Sequence, residues 1–322
     1  MPLAKPWLDT LTTAKLHRLA IAIGAPCSGT KAVRIEGIRR AVTGVSSKDG
    51  GDASDLSLLS IDMGIRNLAF AHITASLQAA NSAKYLQYTK PTLQAWRRLA
   101  VSEPLDVTNA VPISVRVGNA SEVLASKESF EPVDYGLHAY KLINYMLQTC
   151  QPSHVLIERQ RFRSGGGSAV QEWTIRVGVF EGMLYASLRT IIEERKLHLS
   201  VEPMQPSRVN RYWLEDCMRP STRKLVGQEV KRAKIELAGD ILREADANIC
   251  VGNEMQPIVA DFVSGCNKDS KSKPAANTGK MKLDDLADSL LQGLSWIKWQ
   301  NNRRRIEVLG REAIDLDSGA VS

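Results

Sequence analysis

Four acidic residues stand where acids are costly. Asp62 closes the apolar run of LSLLSIDMG, and Glu158 closes the apolar run of HVLIERQ. A carboxylate in an apolar strand loses its hydration, and it persists there only when it is paired or holds a cation. Asp285 and Asp288 lie three apart in KLDDLADSLLQGLSW, which puts both on one helical face beside Leu286, Leu290 and Leu291. Asp284 competes with Asp285, because it reaches Asp288 at a spacing of four. Oxygen donors with no His or Cys near them in sequence suit hard cations such as Mg2+ or Mn2+. Two such ions about 4 Å apart would activate a water and stabilise the leaving oxygen of a phosphodiester held in line. Taken singly, each strand acid reads more readily as a cap, a turn or a salt-bridge partner, and a DxxD pair is commonly a solvated face. The weight lies in the joint order: strand Asp, later strand Glu, then a C-terminal DxxD helix.

Those acids need a scaffold. LSLLSIDMGIRNLAFAHITAS reads as a strand, a glycine turn and a second strand, and LQAWRRLAV (93–101) as a third. Residues 134–149 read as a helix with Leu137, Tyr140, Leu142 and Met146 on its buried side. It leads into HVLIERQ (154–160), an apolar strand of the kind covered on both faces. A glycine-rich loop, a long helix from about Ala169 to Arg195, the strand LHLSVEPM and a charged helix over 225–247 follow. The acidic pair opens the last helix. Strands first, then strands alternating with helices, predict a mixed α/β sheet. Residues 102–133 and 248–280 carry no usable pattern.

The chain has 322 residues, 43% of them hydrophobic, enough for one large domain and a small extra module. No apolar run approaches the roughly eighteen residues that a bilayer-spanning helix needs. Five cysteines without CxxC spacing read as reduced thiols in a non-secretory compartment rather than a zinc site or a disulfide framework. The formal net charge is +7, and residues 1–42 hold seven basic against two acidic side chains, so most of the surplus sits there. A basic surplus favours a polyanionic partner. Residues 11–42 read as two short helices broken at Gly24, Pro26, Ser28 and Gly29, the second carrying Val33, Ile35 and Ile38. Their pattern resembles the SAP motif, a helical DNA-binding unit. The resemblance implies that Lys31, at the start of the second helix, faces phosphates together with that helix's free N–H groups. The competing reading is a basic hairpin used for packing. GVSSKDGGDASDL (44–56) reads as a flexible linker. The expected division is a hairpin module over 1–43, a linker over 44–56, a catalytic domain over 57–310 and a tail over 311–322.

The order of acids resembles that of the RNase H-like nucleases, a fold with a mixed five-stranded sheet flanked by helices. IDMGIRNLAF, IERQRFRSGG and KLDDLADSLLQGLSW resemble the three acidic segments of the RuvC-like resolvases. Together with the hairpin, they resemble the fungal, yeast-type mitochondrial Holliday-junction resolvases over residues 11–42 and about 57–310. The resemblance implies a homodimeric endonuclease that cuts four-way DNA junctions, because paired cuts need two sites related by a two-fold axis. It implies Asp62, Glu158, Asp285 and Asp288 as ligands of two Mg2+, with Mn2+ able to substitute, and no small-molecule cofactor or membrane partner. Gly64 would let the chain turn beside the first carboxylate. Arg159, Arg161 and Arg163 would face phosphates. Phe162 would either wedge between bases or pack in the core. Lys282 would approach the scissile phosphate or solvate the helix start. A location in the mitochondrial matrix rests on the resemblance, since MPLAKPWLD runs almost directly into the hairpin with no arginine-rich presequence. Two other readings stay open. One is a ribonuclease on RNA–DNA hybrids or precursor RNA, using the same acids. The other is a non-catalytic DNA-organising protein, against which the intact acid set argues.

Overall fold

In the first strand, β1 (Leu56–Asp62), successive side chains go to opposite faces of the sheet. Leu58 joins the core on one face, while Leu59 and Ile61 join the core on the other. Asp62 therefore shares its face with Leu58 and Ser60. The computed structural model describes residues 6–46, 55–80, 85–101, 131–160, 171–215, 226–266 and 283–314.

Beyond β1 come β2 (Leu68–Ala75), the short β3 (Leu77–Ala79) and β4 (Leu86–Tyr88), β5 (Thr92–Leu99), β6 (His154–Glu158), β7 (Ser200–Met204) and β8 (Cys250–Val251). The helices are α1 (Thr13–Ala22), α2 (Lys31–Ser46), α3 (Pro132–Cys150), α4 (Glu172–Arg195), α5 (Pro206–Leu214), α6 (Gln228–Arg243), α7 (Ala245–Asn248), α8 (Gln256–Cys266) and α9 (Leu283–Leu309). The main sheet runs β7-β6-β1-β2-β5-β8, while β3 and β4 pair separately. β1, β2 and β5 form an antiparallel meander, and β6 and β7 extend it with parallel pairing. The five expected strands are all present. A sixth, β8, adds parallel to β5 at the far edge, where Cys250 N–H donates to the Pro91 carbonyl at 2.8 Å. It comes from the stretch in which the sequence showed no pattern.

Helices α3 and α4 cover one face through Leu142, Ile143, Met146, Phe180, Leu184 and Leu188. Leu142 and Met146 point inward as expected, whereas Leu137 (51% exposed) and Tyr140 (46%) do not. The opposite face carries α9, with α6 and α8 beside it; Trp96 lies fully buried there, 4.7 Å from the Phe262 ring of α8. None of the helices among the described residues is long and apolar enough to cross a membrane.

The N-terminal hairpin departs from the picture of an arm on a linker. Helix α2 continues to Ser46 and β1 begins at Leu56, so both ends of the expected linker belong to regular elements. Ile35 and Ile38 are buried as expected, but Val33 is exposed. Leu8, Leu16, Ile23 and Ile38 build a third core that includes Ile306 of α9 and Ala313 beyond it. The last carbonyls of a helix lack intrahelical partners. At the end of α1 they are taken up by the body of the protein. Asn302 donates to Ala22 O at 2.7 Å, Arg303 to Ile23 O at 2.8 Å, and Arg208 to Gly24 O at 3.3 Å. Gly24 has φ +65 and faces Trp299 so closely that a side chain there would run into the indole. The thiols of Cys27, Cys150, Cys250 and Cys266 are free, as the cysteine spacing suggests.

Candidate active site

β1 and β6 are parallel neighbours with Ile61 opposite Ile157, so the next pair in register is Asp62 and Glu158. Both stand at carboxyl ends of strands and on the face that α9 covers, since Leu58 and Leu156 point the same way. The chain leaves β1 through Gly64, where an added Cβ would lie 2.8 Å from the Asn67 carbonyl oxygen. Only glycine fits that turn, as the sequence implied. Arg98 then pins the turn by donating to Asn67 Oδ1 at 2.7 Å, and the Arg66 guanidinium lies 5.0 Å above the Trp173 ring.

The seating of α9 places the other two acids. Gly293 lets the helix lie close on the sheet; a Cβ there would meet Ile73 Cδ1 at 2.7 Å and Ser60 Cβ at 3.3 Å. Ser60 Oγ donates to Ser289 O at 2.8 Å, and Gln292 Nε2 donates to Ser60 Oγ at 3.0 Å and Ile61 O at 3.1 Å. Trp96 Nε1 donates to Leu286 O at 3.0 Å. With those rungs fixed over β1, the turn before them projects Asp285 and Asp288 towards Asp62.

The electrostatics report the convergence. Burial first, then the charge and hydrogen bond of Glu158, then Asp288 and Asp285, hold the Asp62 carboxyl well above the usual carboxylate range. Burial also raises Asp288, opposed chiefly by the Lys234 ammonium, with which it forms an ion pair. Asp284 acts on Asp288 too, but its own carboxylate meets Lys231 Nζ at 2.6 Å. Asp285 is among the charges that act on Asp62, and Asp284 pairs with Lys231.

The donor set is oxygen only, and like charges crowd a buried carboxyl, which is the environment a hard divalent cation would relieve. Among the described residues no three such groups already stand in ligand geometry. Asp288 is paired with Lys234.

Of the residues expected to meet DNA, Arg159 is exposed at the end of β6, its N–H bonded to Met204 O at 2.7 Å. Lys31 is exposed at the start of α2, but its Nζ donates to Asp9 O at 2.7 Å, a contact within the hairpin. Arg161, Phe162, Arg163 and Lys282 lie outside the described residues. Sequence reasoning missed Lys231, Lys234 and Glu181. Glu181 of α4 accepts from Gln160 N–H at 3.0 Å and so holds the chain two residues past Glu158. Burial raises its carboxyl pKa, while Gln160 and Arg159 oppose the shift. No local pattern signals any of the three, because each acts on a partner far away in sequence.

A meander of three antiparallel strands extended by two parallel ones, with acids at adjacent strand ends and a C-terminal helix laid across them, is the RNase H-like architecture. The family model described as "Mitochondrial resolvase Ydc2 / RNA splicing MRS1", for the Ydc2 catalytic region, matches residues 58–306, and the chain belongs to that family. It is similar to "Cruciform cutting endonuclease 1, mitochondrial" of Saccharomyces cerevisiae, 24% identical over 280 residues, which cover 79% of this chain and 71% of that protein. The protein of the same name from Schizosaccharomyces pombe is 27% identical over 177 residues, covering 54% of this chain and 60% of that one. The crystal structure of the yeast mitochondrial Holliday junction resolvase Ydc2 shares the fold, with a TM-score of 0.58 and 23% identity, over 94% of this chain and 98% of the other.

Proposed function

We propose that this chain is a divalent-metal-dependent endonuclease that cuts four-way DNA junctions in the mitochondrial matrix, acting as a homodimer. The observation that carries this reading is the convergence of Glu158, Asp285 and Asp288 on the buried Asp62 in a member of the resolvase family. The two curated relatives described above are named as mitochondrial cruciform-cutting endonucleases, which supports the substrate and the location.

Asp62, Glu158, Asp285 and Asp288 would hold the metal. Bound Mg2+, or Mn2+ in its place, would supply a water activated for attack and neutralise charge on the scissile phosphate. The chain's own residues do the rest. The Ser60–Ser289–Gln292 ladder fixes the two α9 acids against β1, and Glu181 fixes the strand end that carries Glu158. Arg159, with Arg161, Arg163 and Lys282, would bind phosphates, and Phe162 would enter the branch point. The hairpin would add contacts through exposed Lys15, Arg18 and Arg40, beside Lys31. Exposed Val133, Leu137 and Tyr140 of α3 and Ile175 and Val179 of α4 offer an apolar surface for the second copy.

The test is a cleavage comparison of a four-way junction, a linear duplex and an RNA–DNA hybrid, each with Mg2+ and with chelator. Cutting of the junction alone, abolished by chelator, is expected. Preferred cutting of the hybrid would overturn the substrate assignment. The matched family's description also includes RNA splicing. That second reading predicts tight binding of structured RNA and no cleavage of any of the three substrates.

A further inference from the structure

Helix α6 brings two lysines to the acidic turn of α9, and they differ in kind. Lys231 is mostly exposed, its side chain 61% accessible, and meets Asp284. Lys234, one turn on, is only 8% exposed and meets Asp288, inside the group of acids that surrounds Asp62. Lysine is almost never buried unless paired, and burying a charged pair rarely adds net stability, because desolvation cancels the attraction. Stability alone therefore does not account for an ammonium at this position. Its geometry does suggest a use. Carboxyl groups gathered around the buried Asp62 repel one another whenever no cation is bound, and Lys234 is an ammonium held against one of them.

We propose that Lys234 is a built-in counter-ion that holds Asp288 while the site is metal-free and must release it when a divalent ion enters. This rests on reading the cluster as a metal site. Binding of metal then includes breaking the Lys234–Asp288 pair, so Lys234 weakens the site's affinity and prevents the four acids from collapsing onto any stray cation. It acts through Asp288 rather than on the substrate, and is a positioning residue.

Two measurements on the full-length protein without DNA test this. The first is calorimetric titration with Mn2+ of the wild type, Lys234→Met, Lys234→Arg and Lys231→Met. Removing one positive charge beside the ions should tighten Mn2+ binding about tenfold in Lys234→Met. Lys234→Arg should stay close to wild type, and Lys231→Met should change affinity less than about twofold, since the Lys231 ammonium stands largely in water, where its charge is screened. Unchanged or weaker binding by Lys234→Met overturns the proposal. Wild-type protein that binds no Mn2+ would instead remove the metal site on which it rests. The second measurement needs no variant and covers the case in which Lys234→Met does not fold. Acetylation of Lys234, followed by mass spectrometry, should speed up on adding Mn2+ while that of Lys231 does not. An unchanged rate at Lys234 overturns the exchange.

Discussion

Asp284 and Asp285 are adjacent on one turn, yet a helix separates neighbours by about 100° and so sends them to different partners. Asp284 is tied at 2.6 Å to Lys231, whose side chain stands largely in water, where an ion pair is worth little. Asp285 acts on buried Asp62. Asp285→Asn should therefore lower the rate of junction cleavage by more than about a hundredfold, with junction affinity retained. Asp284→Asn should change the rate by less than about threefold. A gel-based single-turnover assay on both variants decides it, and the reverse ranking would move the site by one residue. His72 offers a pH test away from the acids. Its Nε2 lies 2.8 Å from Ser57 Oγ, and burial holds its pKa below the usual 6.5. The unfolded chain then binds a proton that the folded chain refuses. Stability is present above the unfolded pKa and is lost as pH falls from there towards the lower folded value. His72→Gln, which keeps a partner for Ser57, should lose less stability than wild type between about pH 7 and pH 5 in urea titrations.

At the scale of elements, the decisive contact is α9 lying on β1 and β2 through Gly293. Gly293→Val would press on Ile73 and Ser60 and should cost about 1–3 kcal/mol in a chemical denaturation. Its cleavage rate should fall by more than the fraction unfolded explains, because the same displacement carries Asp285 and Asp288 off Asp62. A variant that is destabilised but cuts normally per folded molecule would show that the seating of α9 is not what aims the acids. Much of this scaffold was legible. The apolar runs of LSLLSID and HVLIE and the apolar spacing after the DxxD pair each reflect burial that the local sequence has to satisfy. What stayed hidden depends on distant partners. Cys250–Val251 is too short to show a period, the outward turn of Leu137 depends on what α3 packs against, and Lys234 looks like any charge on a polar helix until Asp288 is placed beside it. Residue types singled out Asp62, Glu158, Asp285 and Asp288; the pairing of Asp284 with Lys231 appears only once α6 packs on α9.

For the whole molecule, the hairpin's attachment changes how its role can be tested. Trp299 and Ile306 of α9 lie beneath it, so deleting residues 1–45 would bare an apolar face and leave Arg303 without its carbonyl partner. A truncation would confuse stability with binding. Charge reversal of exposed Lys15 and Arg18 avoids this. The pair of substitutions should weaken junction binding and lower the slope of log affinity against log salt by about 2, with thermal stability unchanged. An unaltered slope would remove the hairpin from the DNA interface. Helix α9 spans 27 residues, roughly 40 Å, with the acids in its first turns, Gly293 on the sheet in its middle, and Asn302 and Arg303 clasping the hairpin near its end. Three separate attachments are thus set by the phase of a single screw. An insertion of one residue between Asp288 and Gly293 would swing the acids about 100° around the axis while leaving every side chain intact, whereas seven residues, close to two whole turns, would nearly restore their direction but carry them about 10 Å along the axis, away from Asp62. The segment from Ser289 to Ile297, buried at every position, is therefore intolerant of any change in length.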